Sequence, residues 1–279
     1  MFNPTKTDLA ALTRTYDVFL IDQFGVLRDD IGPYEGAVKA LSWLASQGKR
    51  AIVLSNSGRS GDYNSERLVR LGFAAESFER FVTSGDVAFD LLSKEGSGVA
   101  KSARCFTVSS GGDTDLADRL GLASTGAARG ADIVIISGSE AERISMDEYR
   151  KMLLPAAVNG IPCFCTNPDI HKLHEGRIAP GAGSIAKLYE ELGGSVRWVG
   201  KPFPEIYEYA LKVAAIDEQN RVVCIGDSIE HDILGANIAG LGSVLVGTGI
   251  LAGQSEDELA RIAERSSAYP DFLLARFSL

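Results

Sequence analysis

Four short apolar runs in this chain each end at a polar residue of a type that phosphoryl chemistry uses. The runs are 18–21, 51–54, 196–199 and 222–225, and they are followed, at once or after one glycine, by Asp22, Ser55, Lys201 and Asp227, respectively. Two carboxylates can hold a divalent cation, and a hydroxyl with an ammonium can hold a phosphoryl group. The residue types therefore predict a phosphoryl-transfer site, provided that the fold brings the four ends together.

The elements around these residues predict how they are brought together. Continuous apolar runs of four residues are typical of strands that are buried on both faces of a sheet. The runs alternate with segments of helical periodicity, such as 34–47, which ends before Gly48. A β-α-β-α order predicts a doubly wound parallel sheet, and ligands bind beyond the carboxyl ends of its strands. We therefore expect the four polar side chains to lie in one small pocket at that edge.

The ordered set of motifs resembles the haloacid dehalogenase (HAD) superfamily, and the layout of the chain resembles its subclass IIA, the nucleotide- and sugar-phosphate phosphatases. The matching motifs are Asp22 with Gly25-Val26, Leu54-Ser55-Asn56, Gly200-Lys201-Pro202, Gly226-Asp227 with Asp232, and Thr166-Asn167-Pro168-Asp169. The resemblance covers nearly the full length. It implies a Rossmann-like α/β core with an inserted α/β cap domain.

The domain organisation follows from the spacing of the motifs. The interval between Ser55 and Lys201 is too long for one crossover connection, and it leaves room for an inserted domain of roughly 100 residues. Strand-like and helix-like segments alternate within it. We predict the cap at 85–183 and a discontinuous core at 1–84 and 184–279.

The chemistry assigns a role to each core residue. Asp22 is the expected nucleophile, because a carboxylate can attack phosphorus and form an aspartyl-phosphate once the charge of the phosphate is neutralised. Lys201 would neutralise the transferred group and the Asp22 charge. Ser55 would donate its hydroxyl to the phosphate, helped by N–H groups near Asn56. The family resemblance adds Mg²⁺.

The expected Mg²⁺ ligands are oxygens, as a hard cation prefers. They are Asp22, Asp227 and the backbone carbonyl of Phe24. Asp232 would support the site by orienting Asp227 or a metal-bound water.

Several residues between Ser55 and Lys201 are candidates for substrate recognition. The family uses the Thr166–Asp169 region of the cap for this purpose, so Asn167, Asp169 and His171 are expected to face the substrate. Arg59 would clamp a second anionic group, although a solvated arginine fits the sequence equally well. His171 and His174 would form a metal pair only if they shared one face of a helix. For 180–183, a hinge is favoured over a phosphate-binding loop.

One position departs from the family pattern. The family usually carries a second Asp two residues after the nucleophile, which protonates the leaving oxygen and then activates water, and here that residue is Phe24. General acid–base help is worth roughly 10²–10⁴-fold in rate. Three interpretations remain open: a phosphatase that uses good leaving groups or another acid (Asp29, Asp30 or His231), a carbon–halogen hydrolase, or a phospho-ligand-binding or regulatory protein with weak catalysis.

The composition of the chain limits the kinds of molecule that it is expected to bind. The net charge is −9 and the pI about 5.0, which argues against nucleic acid and anionic membranes. No run reaches the length of a membrane span, and the first residues do not resemble a signal peptide. The four cysteines are expected to be buried free thiols. We expect a cytoplasmic, soluble protein that acts on a small phosphorylated metabolite, and a homo-oligomer formed through the cap stays possible.

Two other classes fit less well. A phospho-acceptor receiver domain also uses Asp, Ser or Thr, and Lys on a parallel sheet, but its single small domain has no room for the insert. A dinucleotide-binding enzyme would carry Gly-x-Gly-x-x-Gly after its first strand, and this chain does not.

Overall fold

The computed structural model describes residues 2–175 and 177–279, which fold as two compact units. The first, the core unit, comprises Met1–Ser55, Gly61–Val82 and Lys201–Leu279. The second, the cap unit, comprises Asn56–Ser60 and Thr83–Gly200. The chain therefore has the α/β core and inserted α/β domain that the sequence predicts.

The strands, in chain order, are β1 (Thr5–Thr7), β2 (Val18–Ile21), β3 (Arg50–Ser55), β4 (Arg80–Thr83), β5 (Arg104–Val108), β6 (Ala123–Ser124), β7 (Ile133–Ile136), β8 (Cys163–Cys165), β9 (His171–His174), β10 (Arg177–Pro180), β11 (Val196–Trp198), β12 (Val222–Gly226), β13 (Gly242–Val246) and β14 (Phe272–Leu274).

The α-helices are α1 (Leu9–Thr15), α2 (Ala37–Ser46), α3 (Gly61–Arg70), α4 (Ser84–Leu92), α5 (Asp115–Arg119), α6 (Met146–Ala157), α7 (Ala182–Glu191), α8 (Pro204–Val213), α9 (Leu234–Ile238) and α10 (Glu256–Ser266). A π-helical turn, Ile229–Ile233, leads into α9.

The core sheet has the order β1-β14-β13-β12-β2-β3-β4. Strand β2 lies inside the sheet between β12 and β3, and Ile21 is in register with Ile225 of β12 and Val53 of β3 in parallel pairs. All four residues of β2 are buried, because apolar clusters cover the sheet and side chains such as Phe19 and Ile21 pack against α2 residues including Leu41. The doubly wound parallel sheet is confirmed, and its centre positions the ends of β2, β3 and β12 side by side.

The cap unit has its own parallel sheet of order β11-β8-β7-β5-β6, together with the antiparallel hairpin β9-β10. Strands β7 and β8 pack against α6 and α7 through buried residues that include Val134, Tyr149, Leu153 and Ile185. Pro155 lies within α6 near its carboxyl end. The apolar faces of α6 and α7 therefore help to form the hydrophobic core of the cap unit.

One of the four apolar runs belongs to a different sheet from the one we expected. Strand β11 pairs with β8 of the cap sheet, with Val196 opposite Cys163, and it is no neighbour of β2. The expectation that all four runs end at one rim of one sheet is therefore wrong. Nor is β11 buried on both faces, since Arg197 is exposed and Val196 and Trp198 are only partly buried.

The cap unit also extends further than the predicted 85–183. Helix α7 contributes Ala182, Ile185 and Tyr189 to the apolar cluster of the cap unit, and β11 completes its sheet, so the core unit resumes at Lys201 rather than at 184. Residues 56–60, which we predicted in the core, also belong to the cap unit. Residues 184–200 belong to the cap unit because α7 packs in its apolar cluster and β11 pairs in its sheet.

Candidate active site

Asp22, Lys201 and Asp232 form a buried ionic cluster in the core unit. The Lys201 ammonium lies 2.6 Å from Asp22 Oδ1 and 2.6 Å from Asp232 Oδ1. The three side chains are between 4% and 11% exposed, so little water screens their charges. Burial by itself lowers the pKa of Lys201, but the two carboxylates outweigh it, and the net result is a raised pKa. The lysine therefore stays charged.

Asp22 is positioned by strand β2. It follows Ile21, and its backbone N–H donates to Ile225 O at 2.9 Å, which extends the β2–β12 ladder by one residue. Ser55 is the last residue of the neighbouring strand β3 and is also buried. The two predicted site residues thus end adjacent parallel strands, as the sequence indicates.

Asp227 completes a group of three carboxylates. Ligand oxygens of Asp22, Asp227 and Asp232 all lie within 4.8 Å of one another. Burial raises the pKa of Asp227 well above its usual range, and the charges of Asp22 and Asp232 add to the effect. Three carboxylates against one ammonium leave a negative excess in this place, which a cation would offset.

Asp232 is held by the chain on both sides of its carboxylate. Oδ1 accepts from Lys201, and Oδ2 accepts the backbone N–H of Ser228 at 3.1 Å. The π-helical turn that carries Asp232 directs it back over Gly226, where a Cβ would lie 2.0 Å from its Cγ. Because both oxygens have protein partners, Asp232 fits the supporting role that we predicted for it.

Phe24 occupies the place two residues beyond Asp22. Its ring is partly buried, and the Arg28 guanidinium carbon lies 5.0 Å from the ring centroid. The residues that we named as replacement acids make local contacts of their own. Asp29 Oδ1 accepts the N–H groups of Ile31 and Gly32, and His231 Nδ1 lies 3.0 Å from Ser228 Oγ. Asp30 is exposed.

The predicted recognition residues lie in the cap unit, and two of them contact each other. The Asn56 amide donates to Asp169 Oδ1 at 2.8 Å, and Asn167 Oδ1 accepts the N–H of Asp169 at 3.3 Å. Arg59 forms an ion pair with Asp113, with a nitrogen–oxygen distance of 3.1 Å. The Asn56 side chain thus has a cap partner, and a role for Arg59 as an anion clamp would compete with Asp113.

The two histidines cannot form the helical metal pair. His171 and His174 lie on the strand β9, and residues three apart on a strand point to opposite faces. The sequence 166–169 is followed by a hairpin, not a helix. Of the described His, Cys, Asp and Glu side chains, only Asp22, Asp227 and Asp232 cluster closely enough to hold a metal ion.

The cysteine prediction is confirmed. Cys105, Cys163, Cys165 and Cys224 are buried and free. Burial raises the pKa of Cys165 to about 12 and also raises the pKa of Cys105. These thiols are packing residues rather than nucleophiles.

Two contacts were not expected from the sequence. Thr248 donates its hydroxyl to Gly25 O at 2.6 Å, and the Ile250 N–H donates to Asp227 Oδ2 at 2.7 Å. Both residues follow β13, and the rule that chemistry gathers beyond the carboxyl ends of parallel strands is the signal that would have found them.

Comparison with known proteins places the chain in a family. A sequence profile described as haloacid dehalogenase-like hydrolase matches residues 19–123, and one described as HAD-hydrolase-like matches 198–275. A crystal structure of a haloacid dehalogenase-like hydrolase from Brucella suis superposes with a TM-score of 0.83 at 27% identity, covering 98% of this chain and 99% of that one. The chain belongs to the haloacid dehalogenase-like hydrolases.

Three of the matches to known proteins have more specific names. The chain is 30% identical over 246 residues to a D-glycerol 3-phosphate phosphatase of Mycobacterium tuberculosis, covering 87% of this chain and 66% of that protein. A solved glycerol phosphate phosphatase of the same organism, in complex with magnesium, has a TM-score of 0.66 at 28% identity and is covered to 70%, against 86% of this chain. An acid sugar phosphatase of Staphylococcus aureus is 26% identical, with 85% of this chain and 88% of that protein covered.

The chain thus spans about two thirds of the length of the first of these relatives. In residues 2–175 and 177–279, none of the helices has the length and apolar character that a membrane crossing requires.

Proposed function

We propose that the chain is a phosphatase that hydrolyses a small phosphorylated metabolite through an aspartyl-phosphate on Asp22, with Mg²⁺ as its cofactor. The observation that carries the proposal is the buried cluster in which Lys201 bridges Asp22 and Asp232 beside Asp227. The names of the relatives support a phosphate ester as substrate.

The donor set fits a hard divalent cation. Asp22, Asp227 and the Phe24 carbonyl would hold it, with Asp232 in support, because all of these groups offer oxygen, the ligand atom that Mg²⁺ prefers. The raised pKa of Asp227 agrees, since burial and then the charges of Asp22 and Asp232 favour its protonated form, and a cation would offset them. When bound, the cation supplies positive charge that offsets the carboxylates and draws a phosphoryl group towards them.

The side chains of this protein carry the steps. Asp22 attacks phosphorus, the bond from phosphorus to the leaving oxygen breaks, and an aspartyl-phosphate forms. Lys201 keeps the Asp22 carboxylate in place and adds a fixed positive charge, and Ser55 would donate its hydroxyl to a phosphoryl oxygen. Water then attacks the aspartyl-phosphate, which releases phosphate and restores Asp22.

Phe24 limits both steps. It can neither donate a proton to the leaving oxygen nor take one from the attacking water, so these protons exchange with solvent or with the substrate itself. We therefore propose that the enzyme is most active on esters whose leaving groups need no protonation. A phenylalanine here also favours the alternatives of weak catalysis or carbon–halogen hydrolysis, which the following experiment separates.

The experiment is an assay of the purified chain with para-nitrophenyl phosphate, glycerol 3-phosphate and 2-chloropropionate, each with Mg²⁺ and with EDTA. We expect Mg²⁺-dependent release of phosphate that falls about a thousand-fold or more in Asp22→Asn. Asp217→Asn, which changes an exposed loop aspartate in the core unit, is the matched control and should behave as wild type. Phe24→Asp should increase the turnover of glycerol 3-phosphate more than that of the aryl ester.

The other results would contradict the proposal in different ways. Release of chloride without release of phosphate would identify a dehalogenase. If the wild type hydrolyses none of the esters while Phe24→Asp gains activity, the chain is a binding protein that keeps the rest of the catalytic site. Equal turnover by Asp22→Asn and the wild type would remove Asp22 from the mechanism.

A further inference from the structure

The segment after β13 contacts the candidate metal-binding groups in two places. We call residues 247–250 the Thr248 loop. Thr248 Oγ1 donates to the backbone carbonyl of Gly25 at 2.6 Å, and the Ile250 N–H donates to Asp227 Oδ2 at 2.7 Å. One loop therefore bonds both the turn that follows Asp22 and the carboxylate that ends β12.

The Asp227 carboxylate is also confined by backbone. A Cβ on Gly25 would lie 2.0 Å from Asp227 Oδ2, and a Cβ on Gly249 would lie 1.9 Å from the same atom. Both glycines have positive φ, +97° and +74°, which other residues rarely adopt. Two backbone segments and one N–H thus hold this oxygen, so the orientation of Asp227 depends on where the Thr248 loop lies.

The Phe24 carbonyl is oriented by a hydrogen bond of the N–H group in the same peptide unit. The Gly25 N–H, which shares that peptide plane, donates to Arg28 O at 2.8 Å. Because a trans peptide is planar, the Phe24 carbonyl points away from Arg28. No backbone N–H in the described part of the chain donates to this carbonyl, so a cation could take it as a ligand.

The next peptide is held by Thr248. Its carbonyl, that of Gly25, accepts the Thr248 hydroxyl at a short distance. The two peptides that flank Gly25 are therefore fixed, one by Arg28 and one by Thr248. Rotation about Gly25 would turn the Phe24 carbonyl, and these two bonds oppose that rotation at a residue whose backbone is intrinsically flexible.

We propose that Thr248 is a positioning residue for the cation, because its hydroxyl fixes the turn that presents the Phe24 carbonyl while its loop anchors Asp227. The inference rests on the proposed function, since it requires a cation at this cluster. Its effect would be exerted through Gly25 and Asp227, the two residues that its loop contacts.

The test measures binding of Mg²⁺ itself by calorimetric titration, without substrate. We expect Thr248→Val, which keeps the shape and removes the hydroxyl, to bind Mg²⁺ about tenfold more weakly than wild type. Thr248→Ser restores a hydroxyl and should bind as wild type does. Thr13→Val removes a hydroxyl that donates to Ala10 O at 2.8 Å on α1, and this matched control should bind as wild type. Thr248→Ala is titrated as well, in case the valine variant does not fold.

Melting temperatures in EDTA separate positioning from general damage. A positioning role predicts that Thr248→Val and Thr248→Ala lose Mg²⁺ affinity by a larger factor than Thr13→Val at a similar melting temperature, while Thr248→Ser keeps it. Unchanged Mg²⁺ affinity in Thr248→Val, or in Thr248→Ala if the valine variant is unfolded, would overturn this inference alone. A wild type that binds no Mg²⁺ would overturn the proposed function, so the two failures are distinguishable.

Discussion

The chain contains two parallel sheets whose carboxyl ends differ in chemistry. In the core unit, the ends of β2 and β12 carry Asp22 and Asp227, which join Lys201 and Asp232 in a buried ionic cluster. In the cap unit, the ends of β5, β7 and β8 carry serine, glycine, threonine and asparagine. The same architecture therefore collects charge in one unit and neutral hydrogen-bonding groups in the other.

Two serines that follow the strands of the cap sheet donate their hydroxyl groups to backbone carbonyls. Ser110 Oγ donates to Ser139 O at 3.0 Å, and Ser139 Oγ donates to Pro180 O at 2.7 Å. Hydroxyl groups with such partners close loops and need no ligand. The comparison teaches that the end of a parallel strand indicates where a site can be, while uncompensated charge indicates whether a cation is needed there.

The largest effect that would break this comparison comes from Lys201. Lys201→Met leaves the carboxylates of Asp22 and Asp232 buried without their ammonium, so we expect the free energy of unfolding in EDTA to fall by about 3–5 kcal/mol. We expect phosphatase turnover with Mg²⁺ to fall by roughly 10²–10³-fold. Chemical denaturation and the para-nitrophenyl phosphate assay measure the two effects.

Lys39→Met is the matched control, because Lys39 is an exposed lysine of α2. It should leave both quantities close to those of wild type. If Lys201→Met were as stable and as active as Lys39→Met, the ionic cluster would have neither of the roles given to it here.

A second prediction concerns the pH dependence of stability without metal. Burial and the neighbouring carboxylates raise the native pKa of Asp227, so the native state binds a proton that the unfolded state has lost. Stability from this group is therefore present below the ordinary carboxyl pKa of about 3.9 and is lost as pH rises through the raised value. In EDTA, the melting temperature of Asp227→Asn relative to that of wild type should therefore increase as pH rises across this window, because the wild type loses stability and the variant does not.

The control for this effect is Asp217→Asn, whose difference from wild type should not change with pH. Saturating Mg²⁺ should remove the disadvantage of the wild type at the upper end of the window, since the cation replaces the proton. A difference between Asp227→Asn and wild type that is constant with pH would show that Asp227 does not titrate as its surroundings require.

The smallest effect is expected in the cap sheet. Ser110→Ala removes the hydroxyl that bonds Ser139, and we expect a loss of about 0.5–1.5 kcal/mol in the free energy of unfolding. Phosphatase activity should stay within error of wild type. A large loss of activity at unchanged stability would mean that the ends of the cap strands also take part in the chemistry, and the contrast between the sheets would fail.

The sequence predicts the parts of this fold that repeat a local pattern. The apolar runs that form β2, β3 and β12 are buried strands. Asp22 and Asp227, which follow β2 and β12, belong to the carboxylate cluster, and Ser55 is the last residue of β3. The run 196–199, which is interrupted by the exposed Arg197, pairs with β8 instead. Strand pairing is a tertiary property, so an apolar run of four residues cannot distinguish the two sheets.

The unexpected parts of the site depend on backbone rather than on residue type. Thr248 and Ile250 act through a hydroxyl and an N–H that many sequences could supply, and only the position of the loop gives them a role. The hairpin β9-β10 was likewise missed, because its short strands carry few of the apolar or β-branched residues that mark a strand. Arg59 was predicted from its charge, but its partner Asp113 is distant in sequence.

The central claim is that Asp22 is a nucleophile in a site without an acid at position 24. Since Phe24 cannot activate water, hydrolysis of the aspartyl-phosphate should be slow enough for the intermediate to accumulate during turnover. The most direct test is to quench the wild type in acid during turnover of para-nitrophenyl phosphate and to locate the modified peptide by mass spectrometry. We predict one added phosphoryl group on the peptide that contains Asp22, and none in Asp22→Asn. Continued release of nitrophenol with Asp22 unmodified would contradict the account.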